Sequence, residues 1–310
     1  MECAHPRCTR PVIIDQPYAG AHLCRPHFAD SVVERVRREL HRQAPRLPGG
    51  TLAVALSGGK DSGVLLTLLV RLLGERRNIR IVAITIDEGI EQYRAATLLR
   101  ARELTQRLGV EHVVRRFQDE LGTTTDQAAA RLPQVAPCST CGVWRRTLLN
   151  RTARELGAVR LAVGFNLDDL AQTVLMNLVR GEPHRLLQMA PHRSVEEGMV
   201  PRIAPLATVP EREVYLYARL EGIPFDHTTC PHAGRAMRNV FRETLWKMEE
   251  EIPGSRHALL RTREKLIEAL SALPPGSPTG KCQACGEPAS QEFCRSCLFL
   301  ESLTEADGSP

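Results

Sequence analysis

Apolar positions along this chain change period several times, and the changes lay out alternating strands and helices. Thr51-Leu-Ala-Val-Ala-Leu56 is a short, unbroken apolar run, the pattern of a strand buried on both faces. Gly63-Val-Leu-Leu-Thr-Leu-Leu-Val70 follows and, with its flanks, predicts a helix over 62–74 packed on a sheet. The alternation continues with strand 79–86, helix 91–108, strand 110–117, a helix near 140–156, strand 159–164 and helix 168–180. Such an order predicts an α/β fold with a doubly wound parallel sheet covered by helices. Ser31 to His41 reads as an amphipathic helix with Val32, Val33, Val36 and Leu40 on one side. Residues 210–222 and 234–270 also read as helical. Ala44-Pro-Arg-Leu-Pro-Gly-Gly50 and Pro274-Pro-Gly-Ser-Pro-Thr-Gly280 interrupt the pattern as linkers. The expected organisation is a small module over 1–30, a helix and linker over 31–50 and an α/β domain over 51–232. A helical extension over 233–273, a second small module over 280–300 and a disordered tail over 301–310 complete it.

Composition narrows the class. The 310 residues are enough for one medium domain with appendages, and 43% hydrophobic content supports a real core. No apolar run approaches a membrane span and Met1-Glu-Cys3 opens no signal peptide, so a cytoplasmic protein without membrane contact is expected. A net charge of +5 is mild. Its distribution says more: Arg145, Arg146, Arg151 and Arg154 fall on one predicted helix, and Arg235, Arg238, Arg242 and Lys247 on another. Solvated helix faces give the same runs as nucleic-acid contacts, so charge alone leaves both readings open.

The strand-to-helix junction carries the densest chemistry. Ser57-Gly-Gly-Lys-Asp-Ser62 sits between the strand and the helix, where several backbone N–H groups converge and the helix dipole favours an anion. Gly58 and Gly59 let a phosphate approach, Ser57 and Ser62 offer hydroxyls, and Lys60 adds a cation. The pattern G-x-x-x-x-G-K-[ST] is absent, which excludes an ordinary P-loop. The plain alternative is a helix-capping turn with Ser57 or Asp61 as the cap.

Ten cysteines without a secretory signal argue for metal rather than a disulfide framework. Cys282-x-x-Cys285 and Cys294-x-x-Cys297 can present four thiolates to one tetrahedral zinc. Cys3, Cys8, Cys24 and His27 form a second candidate zinc set, in which His5 or His22 could replace a ligand. The remaining trio, Cys138, Cys141 and Cys230, is expected in a substrate-facing loop ahead of the basic helix. Its spacing suits a [4Fe–4S] cluster with one iron free of cysteine, a zinc site completed by His232, or a persulfide relay.

Together these pieces resemble the tRNA 2-thiouridine synthetases of the TtuA type, related to TtcA, within the PP-loop ATP pyrophosphatase superfamily. The resemblance rests on the 57–62 loop, on Ile86-Asp-Glu-Gly-Ile90, on Cys138-Ser-Thr-Cys141-Gly142, on Cys230-Pro-His232 and on Gly164-Phe-Asn-Leu-Asp-Asp-Leu-Ala-Gln-Thr173. It implies an adenine nucleotide alpha hydrolase-like core flanked by N- and C-terminal zinc fingers, with a 233–273 extension that binds tRNA. It implies ATP held by Ala55, Leu56, Ser57, Gly58, Gly59, Lys60, Asp61, Ser62, Ile86, Arg145, Gly164 and Asp169. Asp169, Arg145, Asp61 and Lys60 would be catalytic, with Mg²⁺ organised by Asp169. Two zinc ions and a [4Fe–4S] cluster on Cys138, Cys141 and Cys230 would complete the cofactors.

The implied activity is that of a tRNA-5-methyluridine/uridine 2-sulfurtransferase. ATP adenylates the C2 oxygen of a tRNA uridine, at position 54 ahead of 34, and sulfur then displaces AMP to leave 2-thiouridine. A ubiquitin-like thiocarboxylate carrier or sulfide would supply the sulfur to a homodimer. The chain departs from the family where Arg145 replaces a lysine, Phe165 a histidine and Leu170 a glutamate, and in its C-x4-C first finger. The last two side-chain changes are expected to remove polar groups beside the active site. Thiolation of cytidine and a non-catalytic zinc-finger RNA-binding protein are the competing readings. An amidotransferase-type ligase lacks its glutaminase domain here.

Overall fold

The computed structural model describes residues 2–192, 197–235, 238–271 and 280–308. A hairpin of β1 (Val12–Gln16) and β2 (Ala21–Cys24) runs directly into α1 (Arg25–Gln43). Strands then alternate with helices through β3 (Gly50–Ala55), α2 (Lys60–Leu73), β4 (Ile79–Asp87), α3 (Arg94–Leu108) and β5 (Glu111–Arg116). Two short helices follow, α4 (Phe117–Leu121) and α5 (Thr125–Arg131), and then α6 (Pro137–Glu155) and β6 (Ala158–Ala162). After α7 (Leu167–Val179) come β7 (Arg202–Ile203), α8 (Glu211–Leu220), α9 (Arg238–Glu251) and α10 (Ser255–Ser271). The small hairpin of β8 (Gly280–Lys281) and β9 (Pro288–Ala289) and helix α11 (Arg295–Gly308) end the described chain.

The five central strands pair in the order β5-β4-β3-β6-β7, all parallel. Parity along β3 explains its unbroken apolar run. Leu52 and Val54 join one core with Val36 of α1, Leu65 and Leu69 of α2 and Tyr217 of α8. Ala53 faces the opposite core, built on Phe117, Trp144, Leu148 and Leu170. Successive side chains point to opposite faces, so a strand covered twice must be apolar at every position. Strand order reverses at β3, where β4 continues to one side and β6 to the other. The crevice outside the carboxyl ends of these two strands is where an open α/β sheet binds ligands.

Several expectations need correction. The helical run foreseen over 234–270 is broken at Ile252-Pro-Gly254, because proline removes a donor and Gly254 has φ +94°. Arg235 belongs to a 3₁₀ turn, Pro231–Arg235, rather than to that helix. The 117–131 stretch carries two short helices that lack an apolar stripe long enough to announce them. Thr124 and Gln127 form a reciprocal capping box at α5, a T-x-x-Q signal present in the sequence. Residues 301–308 are helical in α11 and Leu303 is buried in the core with Trp144, so the disordered tail does not hold for them. Of the linker at 274–280, all but Gly280 lies outside the described residues.

Both small modules are fastened to the α/β domain by buried carboxylates. Tyr18 Oη donates to Glu213 Oε1 at 2.5 Å, and Arg35 of α1 pairs with the same carboxylate. At the other end Glu287 accepts from Arg151 Nε at 3.1 Å and from Arg154 Nη2 at 2.6 Å. Trp144 Nε1 adds a bond to the Ser296 carbonyl at 3.2 Å. Two arginines counted as a basic face of α6 are thus spent on docking the last module. Glu287→Ala removes the carboxylate that both guanidinium groups share and is expected to lower stability by about 2 kcal/mol. A lower urea midpoint and faster amide exchange in α11 are the readouts; unchanged exchange there would remove the docking role from Glu287.

Candidate active site and metal centres

The carboxyl ends of β3, β4 and β6 open into a cavity of about 440 Å³. Ala55, Leu56, Ser57, Asp61, Ser62, Ile86, Arg145, Gly164 and Asp169 all line it, which gathers nine of the expected nucleotide residues around one space. Gly58, Gly59 and Lys60 are outside its lining. Gly58 has φ +86°, and a Cβ there would stand 1.9 Å from the Thr97 carbonyl oxygen, so no side chain fits the turn. The plain capping alternative fails, because Gly59 is the N-cap of α2 and no side chain caps it. Ser57 N–H donates to Ser62 Oγ at 3.1 Å and Gly59 N–H to Ser57 Oγ at 3.3 Å. These are hydroxyl acceptors that a phosphate oxygen can replace.

Three carboxylates meet beside the loop with different duties. Lys60 Nζ is shared between Asp61 at 3.0 Å and Glu211 at 2.7 Å. Burial opposes its charge, but the two carboxylates outweigh burial and hold the amine above its ordinary range. Asp61 also accepts from Asn166 Nδ2 at 2.9 Å. Asn166 caps α7 and Asp169 closes the capping box, accepting from Asn166 N–H at 3.3 Å. Burial first, and the Asp61 charge second, push the Asp169 carboxyl up to about 7. Asp168 faces elsewhere. It binds Arg256 at 2.8 Å and the Glu211 N–H at 2.7 Å, a structural clamp.

Two residues that sequence reasoning missed organise the opposite wall. Buried Arg94 donates to the Ser57 carbonyl at 2.9 Å and to the Ile86 carbonyl, and meets Glu88 at 3.1 Å. Glu88 in turn reaches Arg145 Nη1 at 3.5 Å. A buried charge pair has no local pattern, so only the motif at 86–90 hinted at Glu88. Phe165 lines the cavity, as expected of a change beside the site. Leu170 does not: it is buried in the core with Trp144, so its apolar character is packing.

The cysteines separate into two kinds of site. Cys3, Cys8, Cys24 and His27 offer ligand atoms within 4.8 Å of one another, and so do Cys282, Cys285, Cys294 and Cys297. The Cys8–Cys24 and Cys285–Cys294 sulfur separations of 3.7 Å and 3.6 Å match the edge of a tetrahedron with Zn–S bonds of about 2.3 Å. His5 stacks on His27 and His22 pairs with Asp15, which leaves His27 as the fourth donor of the first set. Among the described residues the trio Cys138, Cys141 and Cys230 falls in no such group. Cys138 and Cys141 lie on the first turns of α6, not in the loop expected ahead of it. Cys138 Sγ is 3.9 Å from the carbonyl of His232, which brings the 230–232 segment to the same helix end. His232 itself is bonded to Asp126 at 2.6 Å rather than turned to the thiols. Three thiols at one helix end offer the donor type that iron–sulfur clusters take.

Comparison with known proteins agrees with this layout. Residues 32–249 match the PP-loop domain family, and residues 7–29 match the N-terminal LIM domain of 2-thiouridine synthetase TtuA. The chain is 39% identical over 324 aligned positions to the tRNA 2-thiolation protein NcsA of Haloferax volcanii, covering 98% of this chain and 99% of the relative. It is 33% identical to a probable sulfurtransferase of Methanocaldococcus jannaschii, covering 96% and 87%. Among solved structures it is similar to the U34-tRNA thiolase NcsA from Methanococcus maripaludis with its [4Fe–4S] cluster. That match has a TM-score of 0.86 at 32% identity and covers 98% of this chain and 96% of the other.

The raised Asp169 carboxyl has a measurable consequence. Between about pH 4 and pH 7 the folded chain holds a proton that the unfolded chain has released, so stability falls as pH rises through that window and is level above it. Asp169→Asn removes the effect. Its Tm is expected to exceed the wild type at pH 8, with the difference fading towards pH 4. A difference that is constant across this range would show that Asp169 ionises normally.

Proposed function

Because this chain belongs to the PP-loop family of tRNA 2-thiolation proteins, we propose that it is an ATP-dependent sulfurtransferase that converts a tRNA uridine to 2-thiouridine. One observation carries the reading. Cys141 and Arg145 are one turn apart on α6, and Arg145 lines the same cavity as the 57–62 loop. Nucleotide activation and sulfur delivery therefore meet on one helix.

The residues support a two-step substitution. The loop and its helix N-terminus hold the ATP phosphates, with Ala55, Leu56, Ile86 and Gly164 framing the nucleotide. The uridine C2 oxygen attacks the α-phosphorus and pyrophosphate leaves, which turns a poor leaving oxygen into a good one. Arg145 offsets charge on the phosphoryl group being transferred, and Asp61 and Asp169 organise Mg²⁺. Lys60 holds Asp61 in place through their ion pair. A nucleophilic sulfur then adds at C2 and AMP departs with the former oxygen. When bound by Cys138, Cys141 and Cys230, a [4Fe–4S] cluster supplies an iron without a protein ligand that can carry the sulfur.

The target was expected at position 54 ahead of 34. Similarity to a U34-tRNA thiolase favours 34 instead. Exposed Arg242 and Trp246 on α9, stacked at 5.9 Å, support tRNA contact by the 233–273 extension. The 1–30 and 280–300 modules are the zinc fingers. The reading extends to a homodimer served by a ubiquitin-like thiocarboxylate carrier or sulfide, working in the cytoplasm. Animal relatives are named cytoplasmic tRNA 2-thiolation protein 1, and no helix among the described residues is long and apolar enough to cross a membrane.

Anaerobically purified protein is expected to contain about four iron and about two zinc per chain and to thiolate tRNA with release of pyrophosphate. Asp169→Ala should abolish thiolation with the fold intact. Cys141→Ala should lose iron and thiolation while still binding ATP, whereas Cys282→Ala should mainly destabilise. Full activity of Asp169→Ala, or three zinc and no iron after anaerobic reconstitution, would overturn the mechanism.

A further inference from the structure

The cavity continues past the nucleotide loop along α6 towards the C-terminal module, and at that end its charge is unbalanced. Of its carboxylates, Glu88 is taken by Arg94 and Arg145, Asp61 by Lys60, and Glu287 by Arg151 and Arg154. Asp169 is bound into the cap of α7. Arg146 and Arg202 also line the wall, and neither meets a carboxylate among the described residues. Arg146 is exposed to the opening, and its Nη1 lies 3.2 Å from where a Cβ on Gly142 would stand. Glycine there makes room for the guanidinium over the first turns of α6. Arg202 rests 3.1 Å from His192 Nε2. Burial, and then Arg202 itself, push His192 down to about 4, so a neutral ring positions this guanidinium without cancelling it. Partial withdrawal from water, followed by the charges of Arg145 and Arg202, pushes Arg146 down to about 10, still charged at neutral pH. Two uncompensated cations that repel each other across a cavity wall are relieved by an anion.

We propose that Arg146 and Arg202 form a phosphodiester-binding subsite for the RNA backbone next to the uridine delivered to ATP. The inference rests on the tRNA reading above. The ATP phosphates and the departing pyrophosphate belong to the 57–62 loop at the other end of the cavity. The anion at Arg146 and Arg202 is therefore a different one, and a planar fork of N–H donors suits a backbone phosphate.

The test uses full-length protein, loaded anaerobically, with tRNA affinity measured across a salt series and ATP and inorganic pyrophosphate affinities measured in parallel. Arg146→Gln and Arg202→Gln should each weaken tRNA binding about tenfold and make the log K against log salt slope shallower by about one. ATP and pyrophosphate affinities should not move, and Arg146→Lys should restore the slope. An unchanged slope and tRNA affinity in both glutamine variants would overturn the subsite. Loss of pyrophosphate or ATP affinity with an unchanged slope would overturn it too, assigning the pair to the nucleotide. A wild-type protein that binds no tRNA would instead defeat the thiolation reading, and the subsite with it.

Discussion

Arg94 is the residue through which the nucleotide loop is tied to the sheet. Its guanidinium is buried, donates to the carbonyls of Ser57 and Ile86, and is paired with Glu88. A guanidinium withdrawn from water is costly unless it is partnered, and here Nη1 and Nη2 donate to carbonyls at two strand ends while Nε faces the Glu88 carboxylate after β4 at 3.1 Å. The loop between β3 and α2 is therefore held from behind while its other side faces the cavity. Gly58 adds the steric half of the same constraint, since it presses against the Thr97 carbonyl one turn along α3. Moving α3 would move the loop.

Helix α6 does three jobs at once. Trp144 and Leu148 point into the core. Cys141 packs at the edge of that same core, and Cys138 and Arg145 lie one turn to either side of it, so the thiols and the cavity-lining cation share one rigid support. Arg151 and Arg154, farther along, hold the C-terminal module through Glu287. A run of four arginines that looks uniform in the sequence is divided into one facing Glu88, one left uncompensated in the cavity wall and two consumed in docking.

The two cysteine-rich modules are too small to bury a core of their own, and the four-donor sets explain how they hold a shape. Each is then joined to the larger domain by a carboxylate that is buried and multiply bonded, Glu213 at one end and Glu287 at the other. The C-terminal module also forms part of the cavity wall through Pro288 and Cys294. Its docking therefore shapes that cavity, and Cys294 brings its four-donor set up to the wall.

By itself the sequence determined the parallel α/β order, the glycine loop, both four-donor sets and nine of the residues that line the cavity. Those features rest on local pattern: an apolar run covered twice, a turn too tight for a Cβ, thiols spaced for one ion. Strand order, the Arg94–Glu88 pair, the separate fates of Asp168 and Asp169 and the partition of the α6 arginines were not legible, because each is decided by how separate elements pack against one another. Asp168 and Asp169 are adjacent letters, yet a helical turn sends one to Arg256 and leaves the other beside Asp61. Adjacent positions on a helix point about 100° apart, and only the packing of other elements decides what each one meets.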